Sequence, residues 1–180
     1  MRFSIWKVLP VILLSLLSIL LYKGLSKDDR YTSVSMINKP FPNFYEYDLQ
    51  RLSKVITRED LLGFTTLVHV WSSSCNSCSK DNAFLLKLAK NKKIKLVGIN
   101  YIDDREAALD FLNAYGNPYS KIIFDASGNL SMNIGAYGVP ETYVVDRKGV
   151  VRYKVSSGLN DSVLKDKILP IIYWLKKHDS

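Results

Sequence analysis

Apolar and polar positions fall along the chain in blocks that change period from one end to the other. The first block is continuous. Val8 to Tyr22 carries no charged side chain, with Arg2 and Lys7 before it and Lys23 after it. That run is slightly short of the roughly 20 residues that cross a hydrocarbon core. It becomes long enough if Lys7 and Lys23 snorkel and Phe3, Ile5, Trp6 and Leu25 sit at the interfaces. A cleaved signal peptide competes with this reading, because Gly24-Leu25-Ser26 offers a small-x-small site. An Ala-x-Ala site is absent, and an uncleaved anchor over residues 1–25 is the preferred expectation. Either way, the remainder is exported. Residues 26–38 are polar and read as a tether, leaving 39–180 as one folded domain.

In that domain the apolar period switches between two and 3.6. Lys39-Pro40-Phe41-Pro42 suggests an extended edge rather than a central strand. Tyr45 to Glu59 reads as short strands with a polar connection, and Arg58 to Gly63 as one helical turn. Thr65 to Trp71 is a β-branched, apolar run that predicts a buried strand. Asn76 to Lys90 places Ala83, Leu85, Leu86, Leu88 and Ala89 among polar residues, which suits an amphipathic helix with Ser74 as its N-cap. A second buried strand follows at Ile94–Ile102. Asp103 and Asp104 then cap a helix over Arg105–Tyr115, with Ala107, Ala108, Phe111 and Leu112 on one face. Ile122–Phe124 predicts a short strand and Leu130–Tyr137 a partial helix. Thr142–Asp146 and Val150–Val155 flank Arg147-Lys148-Gly149, a hairpin signal. A last helix begins at Asn160-Asp161 and is interrupted by Pro170. Parallel strands with crossover helices, followed by an antiparallel pair, predict an α/β sandwich.

Charge changes this picture little. The net charge of +8 comes largely from lysines such as Lys87, Lys90, Lys92, Lys93 and Lys95. Lysines on a helix face are usually only solvated, and an exported protein meets little nucleic acid, so no nucleic-acid partner is expected. His69 lies in a buried strand run and reads as a packed residue rather than a catalytic one.

Candidate chemistry sits at the end of the central strand. Cys75 and Cys78, the only cysteines, are two residues apart where a helix begins. Unpaired N–H groups at a helix N-terminus favour the thiolate, which is the form that attacks disulfides. Cys75 is therefore the expected nucleophile. Cys78, one turn further in, is placed to displace whatever Cys75 captures. A structural zinc site wants four ligands, and the chain offers no further Cys and only His69 and His178. A purely structural disulfide would close a very short loop and constrain the unfolded chain little. Haem attachment needs His after the second cysteine, where Ser79 stands. The redox reading wins.

These residues make the chain resemble a thioredoxin-like family, the thiol–disulfide interchange proteins of cytochrome c maturation (the DsbE/CcmG group). The likeness runs from about Lys39 to the C-terminus. It is carried by Gly98-Ile99-Asn100-Tyr101-Ile102-Asp103-Asp104, Gly116-Asn117-Pro118-Tyr119 and Tyr137-Gly138-Val139-Pro140-Glu141-Thr142, with Gly149 to Tyr153 less specific. It implies a thioredoxin-like fold, a central mixed β-sheet flanked by helices, behind an N-terminal transmembrane anchor. It implies a cis Pro140 beside Cys75, with Val139 offering backbone groups to a client strand and Trp71 matching the family's upstream aromatic at the client site. Asp81 and Glu141 become tuning or proton-transfer acids. The implied setting is the periplasmic side of a bacterial inner membrane, as a monomer. Apocytochrome c and its maturation partners are the implied clients, and a transmembrane DsbD-type protein the electron donor. No metal or organic cofactor is implied. The family usually carries Trp before the first cysteine and Pro after it; here Ser74 and Asn76 stand there.

Overall fold

The computed structural model describes residues 5–25, 36–91 and 94–178. It falls into two units, Met1–Ser33 and Val34–Ser180. In the first, α1 (Ile5–Leu25) is one helix with Pro10 inside it. Its described side chains, 9–20, are exposed, among them Leu9, Val11, Ile12, Leu13 and Leu14. Ser15 and Ser18 donate their hydroxyls to the carbonyls of Val11 and Leu14 (2.9 and 2.8 Å), so neither hydroxyl is left unpaired on the apolar surface. Among the described residues no helix is long and apolar enough to cross a membrane. Residues 1–4 of the expected anchor and 26–35 of the expected tether lie outside the described residues.

The second unit is built on a seven-stranded sheet with the order β2-β1-β5-β4-β3-β6-β7. The strands are β1 (Tyr45–Asp48), β2 (Val55–Thr57), β3 (Thr66–Trp71), β4 (Lys95–Tyr101), β5 (Lys121–Asp125), β6 (Glu141–Val145) and β7 (Val151–Val155). β3, β4 and β5 run parallel, and the other pairings are antiparallel. Every residue of β3 is buried, as its unbroken run of apolar and β-branched residues demands of a strand covered on both faces. It pairs Leu67 with Leu96 on one side and with Val144 on the other.

Alternation along the strands divides the core in two. Leu67, Trp71, Leu96, Ile122 and Val144 face one layer, formed by α2 (Asn76–Ala89), α3 (Arg105–Tyr115) and the C-terminal helix. Val68, Val70, Val97, Ile99, Ile123, Tyr143 and Val145 face Phe41, Leu61 and the short α4 (Asn129–Asn133) on the other side. The expected extended edge is there: Pro40 bridges to Val150, and the Phe41 N–H bonds the Gly149 carbonyl at 2.7 Å.

Three expectations shift. The turn before β3 is a short 3₁₀ helix, Arg58–Leu61, in which Thr57 and Asp60 form a capping box. The partial helix ends at Asn133 because Gly135 takes a positive φ of 73° and Ala136 bonds back to the Ser131 carbonyl at 2.8 Å. Pro170 does not interrupt the last helix. A π-helical turn over Val163–Ile168 leads into α5 (Leu169–His178), so the proline, which has no N–H to give, sits in its first turn.

Candidate active site

β3 delivers the chain to the site and a polar turn redirects it. The Cys75 N–H bonds the Ser72 carbonyl at 3.3 Å, and the Ser72 and Ser74 hydroxyls pair at 3.2 Å. Asp103, in the loop after β4, pins this turn from outside. Its carboxylate accepts the Ser73 N–H (2.5 Å), the Ser73 hydroxyl (2.6 Å) and the buried Asn100 amide (2.7 Å). The cap of α3 is therefore Asp104 alone, accepting from the Ala107 N–H at 2.9 Å.

The N-cap of α2 is Cys75, one residue later than Ser74. Cys75 is extended (φ −86°, ψ 105°), and its Sγ accepts the Cys78 N–H at 3.2 Å. The shift strengthens the chemical expectation, because the sulfur itself takes up one of the orphan N–H groups of the helix start. Cys75 and Cys78 form a disulfide, with Cα atoms 5.3 Å apart. Cys75 is half-buried and Cys78 only 1% exposed, so only the first sulfur is open to a partner.

Under the pair lies a buried polar couple. Asp81, one turn beyond Cys78 on α2, is 1% exposed. Its Oδ1 accepts the Leu159 N–H at 2.7 Å, and its Oδ2 lies 3.4 Å from His69 Nε2, an electrostatic contact rather than a hydrogen bond. His69 is as buried as Asp81, and its Nδ1 meets the Tyr119 hydroxyl at 2.8 Å. Burial, and then the Asp81 charge, push the Tyr119 hydroxyl well above the ordinary phenol pKa.

The Val139–Pro140 bond is cis and immediately precedes β6. Because Val70 pairs with Glu141, Pro140 falls at the end of β3 where the cysteine turn leaves the sheet. Val139 and Cys75 both pack against the same apolar cluster. Trp71 is placed otherwise than expected. It is fully buried, stacked on Tyr119 (centroids 5.9 Å apart) and tilted on Phe111 (5.2 Å), so it supports the site from behind and offers a client no surface.

Glu141 is not gathered with Asp81. The pleat of β6 puts it on the face of Tyr143 and Val145, away from α2. There its Oε2 accepts the Tyr143 hydroxyl (2.7 Å) and pairs with Lys154 Nζ (2.9 Å). The Tyr143 hydroxyl is pushed up by its burial and by that bond to Glu141. Asp103, Asn100 and Tyr119 are the residues sequence reasoning passed over. The available signal was a second acid at Asp103, next to an Asp104 that already sufficed as a cap.

Comparison with known proteins fits this geometry. The Redoxin family model matches residues 36–168. The chain belongs to the redoxin family. This redoxin is 41% identical over 161 residues to the thiol:disulfide interchange protein DsbE of Pseudomonas fluorescens biotype C, covering 89% of each chain. It is 35% identical to the DsbE of Pseudomonas aeruginosa, covering 93% of each. Among solved structures, a secreted thiol-disulfide isomerase from Corynebacterium glutamicum shares the fold at 20% identity, with a TM-score of 0.62 over 74% of this chain and 85% of that one. The redoxin is accordingly a thiol–disulfide oxidoreductase of the DsbE type on a thioredoxin-like fold, and Cys75–Cys78 is its redox pair.

Proposed function

We propose that this oxidoreductase works as an exported, membrane-anchored reductant of protein disulfides, and that its clients are apocytochrome c or the maturation partners that carry the same oxidising equivalents. One observation carries the reading: a half-buried Cys75 at the mouth of α2, backed by a buried Cys78, with Val139 of the cis Val139–Pro140 segment packed against the same apolar cluster as Cys75. The relatives named DsbE support the general role. The anchor rests on α1, whose residues 9–20 hold no charge, and a transmembrane DsbD-type donor is proposed to restore the dithiol.

Reduced Cys75 attacks a client disulfide as the thiolate. One client sulfur joins Cys75 and the other leaves with the electron pair. Val139 and Pro140 hold the client segment as an added strand, which asks little of its side chains. Cys78 then gives up its proton to Asp81 and attacks Cys75 Sγ. The Cys75–Cys78 bond forms, the Cys75–client bond breaks, and the client sulfur that Cys75 held leaves as a thiolate. The client has gained two electrons and the protein has lost two.

A disulfide-bonded Cys-x-x-Cys-His peptide tests the client and the order of attack together. The Cys78→Ala protein is expected to accumulate a covalent 1:1 complex with it, and Cys75→Ala none. If the Cys75→Ala protein still binds the peptide as well as wild type and no complex forms with Cys78→Ala, the protein is a holdase for this client rather than its reductant.

A further inference from the structure

His69 was expected to be simple packing. Its surroundings say more. It stands on the α2 face of β3, with Gly98 of β4 and Thr142 of β6 beside it in register. The titratable groups in contact with it are Tyr119 and Asp81. The α3 and C-terminal-helix layer contributes Phe111, Leu112, Leu164 and Ile168, all apolar.

In this pocket the tautomer follows from the partners. Asp81 Oδ2 can only accept, which assigns the hydrogen to the Nε2 that faces it and leaves Nδ1 to accept from the Tyr119 hydroxyl. A neutral imidazole that accepts at Nδ1 carries its hydrogen on Nε2, the atom 3.4 Å from Asp81 Oδ2. Asp81 thus has one oxygen engaged by the Leu159 N–H and a second oxygen, buried and without a hydrogen bond, turned to an N–H edge. A carboxylate oxygen left open in this way has a lone pair ready for a proton. Residues three apart on a helix have Cβ atoms about 5–6 Å from each other, which brings Cys78 within reach.

We propose that His69 is a positioning residue for the resolving step: held by Tyr119, it orients the Asp81 carboxylate toward the cysteine pair, so that Asp81 can take the Cys78 proton as Cys78 attacks the mixed disulfide. The step balances without an added reagent. The S–H bond of Cys78 breaks and Asp81 gains the proton. The Cys75–Cys78 bond forms, the Cys75–client bond breaks, and the leaving client thiolate is reprotonated from solvent as Asp81 releases its proton. The proposal rests on the reading of Asp81 as the proton acceptor.

The test mixes the full-length reduced protein with glutathione disulfide, quenches with acid and follows the glutathionylated species by intact mass. In His69→Asn the mixed disulfide is expected to form at a rate within about twofold of wild type and to resolve about tenfold more slowly. Asp81→Asn is expected to be slow as well, and His69→Asn is expected to add nothing in that background. Wild-type resolution in His69→Asn, or an equal further slowing on top of Asp81→Asn, overturns the role of His69 alone. Wild-type resolution in Asp81→Asn overturns the reading of Asp81 and this proposal with it. Where His69→Asn does not fold, Tyr119→Phe reads the same role: freeing the ring is expected to slow resolution about threefold, and an unchanged rate overturns it.

Discussion

Two acids that look equivalent in the sequence are put to different uses by their neighbours. Asp81 is sealed under the disulfide with one oxygen uncommitted, whereas Glu141 is fully engaged by Tyr143 and Lys154 on the far face of the sheet. Asp103 has a third use. It holds Ser73 through two bonds and so sets where the chain turns before Cys75. Replacing Asp103 by Asn puts an NH₂ group against donors and removes a charge-assisted pair of bonds. The change is expected to lower the unfolding free energy of the oxidised protein by about 2 kcal/mol, read from urea titration. A loss below about 0.5 kcal/mol would mean that the turn holds its shape without this clamp.

The junction of β3 and α2 was legible because its pattern is local: a buried run, a polar turn, then a helical period. Only the cap slipped by one residue. Sequence rules favour an oxygen at the N-cap, and the rule could not see that a sulfur in extended backbone, 3.2 Å from the Cys78 N–H, would serve. Close approach between elements was not legible at all. Gly98 lets β4 pass under two rings: a Cβ there would sit 2.9 Å from Trp71 Nε1 and 3.1 Å from Tyr119. At Gly138 a Cβ would meet nothing within 4 Å. Gly98→Ala is therefore expected to cost about 1–3 kcal/mol through overpacking, and Gly138→Ala less than about 0.5, compared by urea midpoint. Equal losses would show that the aromatic stack yields freely.

Parallel pairing and layering followed from periodicity in the half where each strand is joined to the next by its own helix. The other half resisted. β1 inserts between β2 and β5, and its pairing with Phe124 links positions far apart in the chain. The contacts that complete the site are also long-range: Ser73 with Asp103, His69 with Asp81 and Tyr119, Asp81 with Leu159. No local pattern announces such pairs. The cis proline was accessible only through family likeness, since cis forms account for only about 5–6% of X–Pro bonds. What the assembled parts produce is an asymmetry between two sulfurs, one at a helix mouth and half-open, the other sealed beneath it. Alkylation of the reduced protein with iodoacetamide across pH, resolved residue by residue by mass spectrometry, measures that asymmetry. Cys75 is expected to react with a half-point well below the ordinary thiol value of about 8.5, while Cys78 stays protected until higher pH. Both cysteines reacting together near 8.5, or Cys78 reacting first, would contradict it.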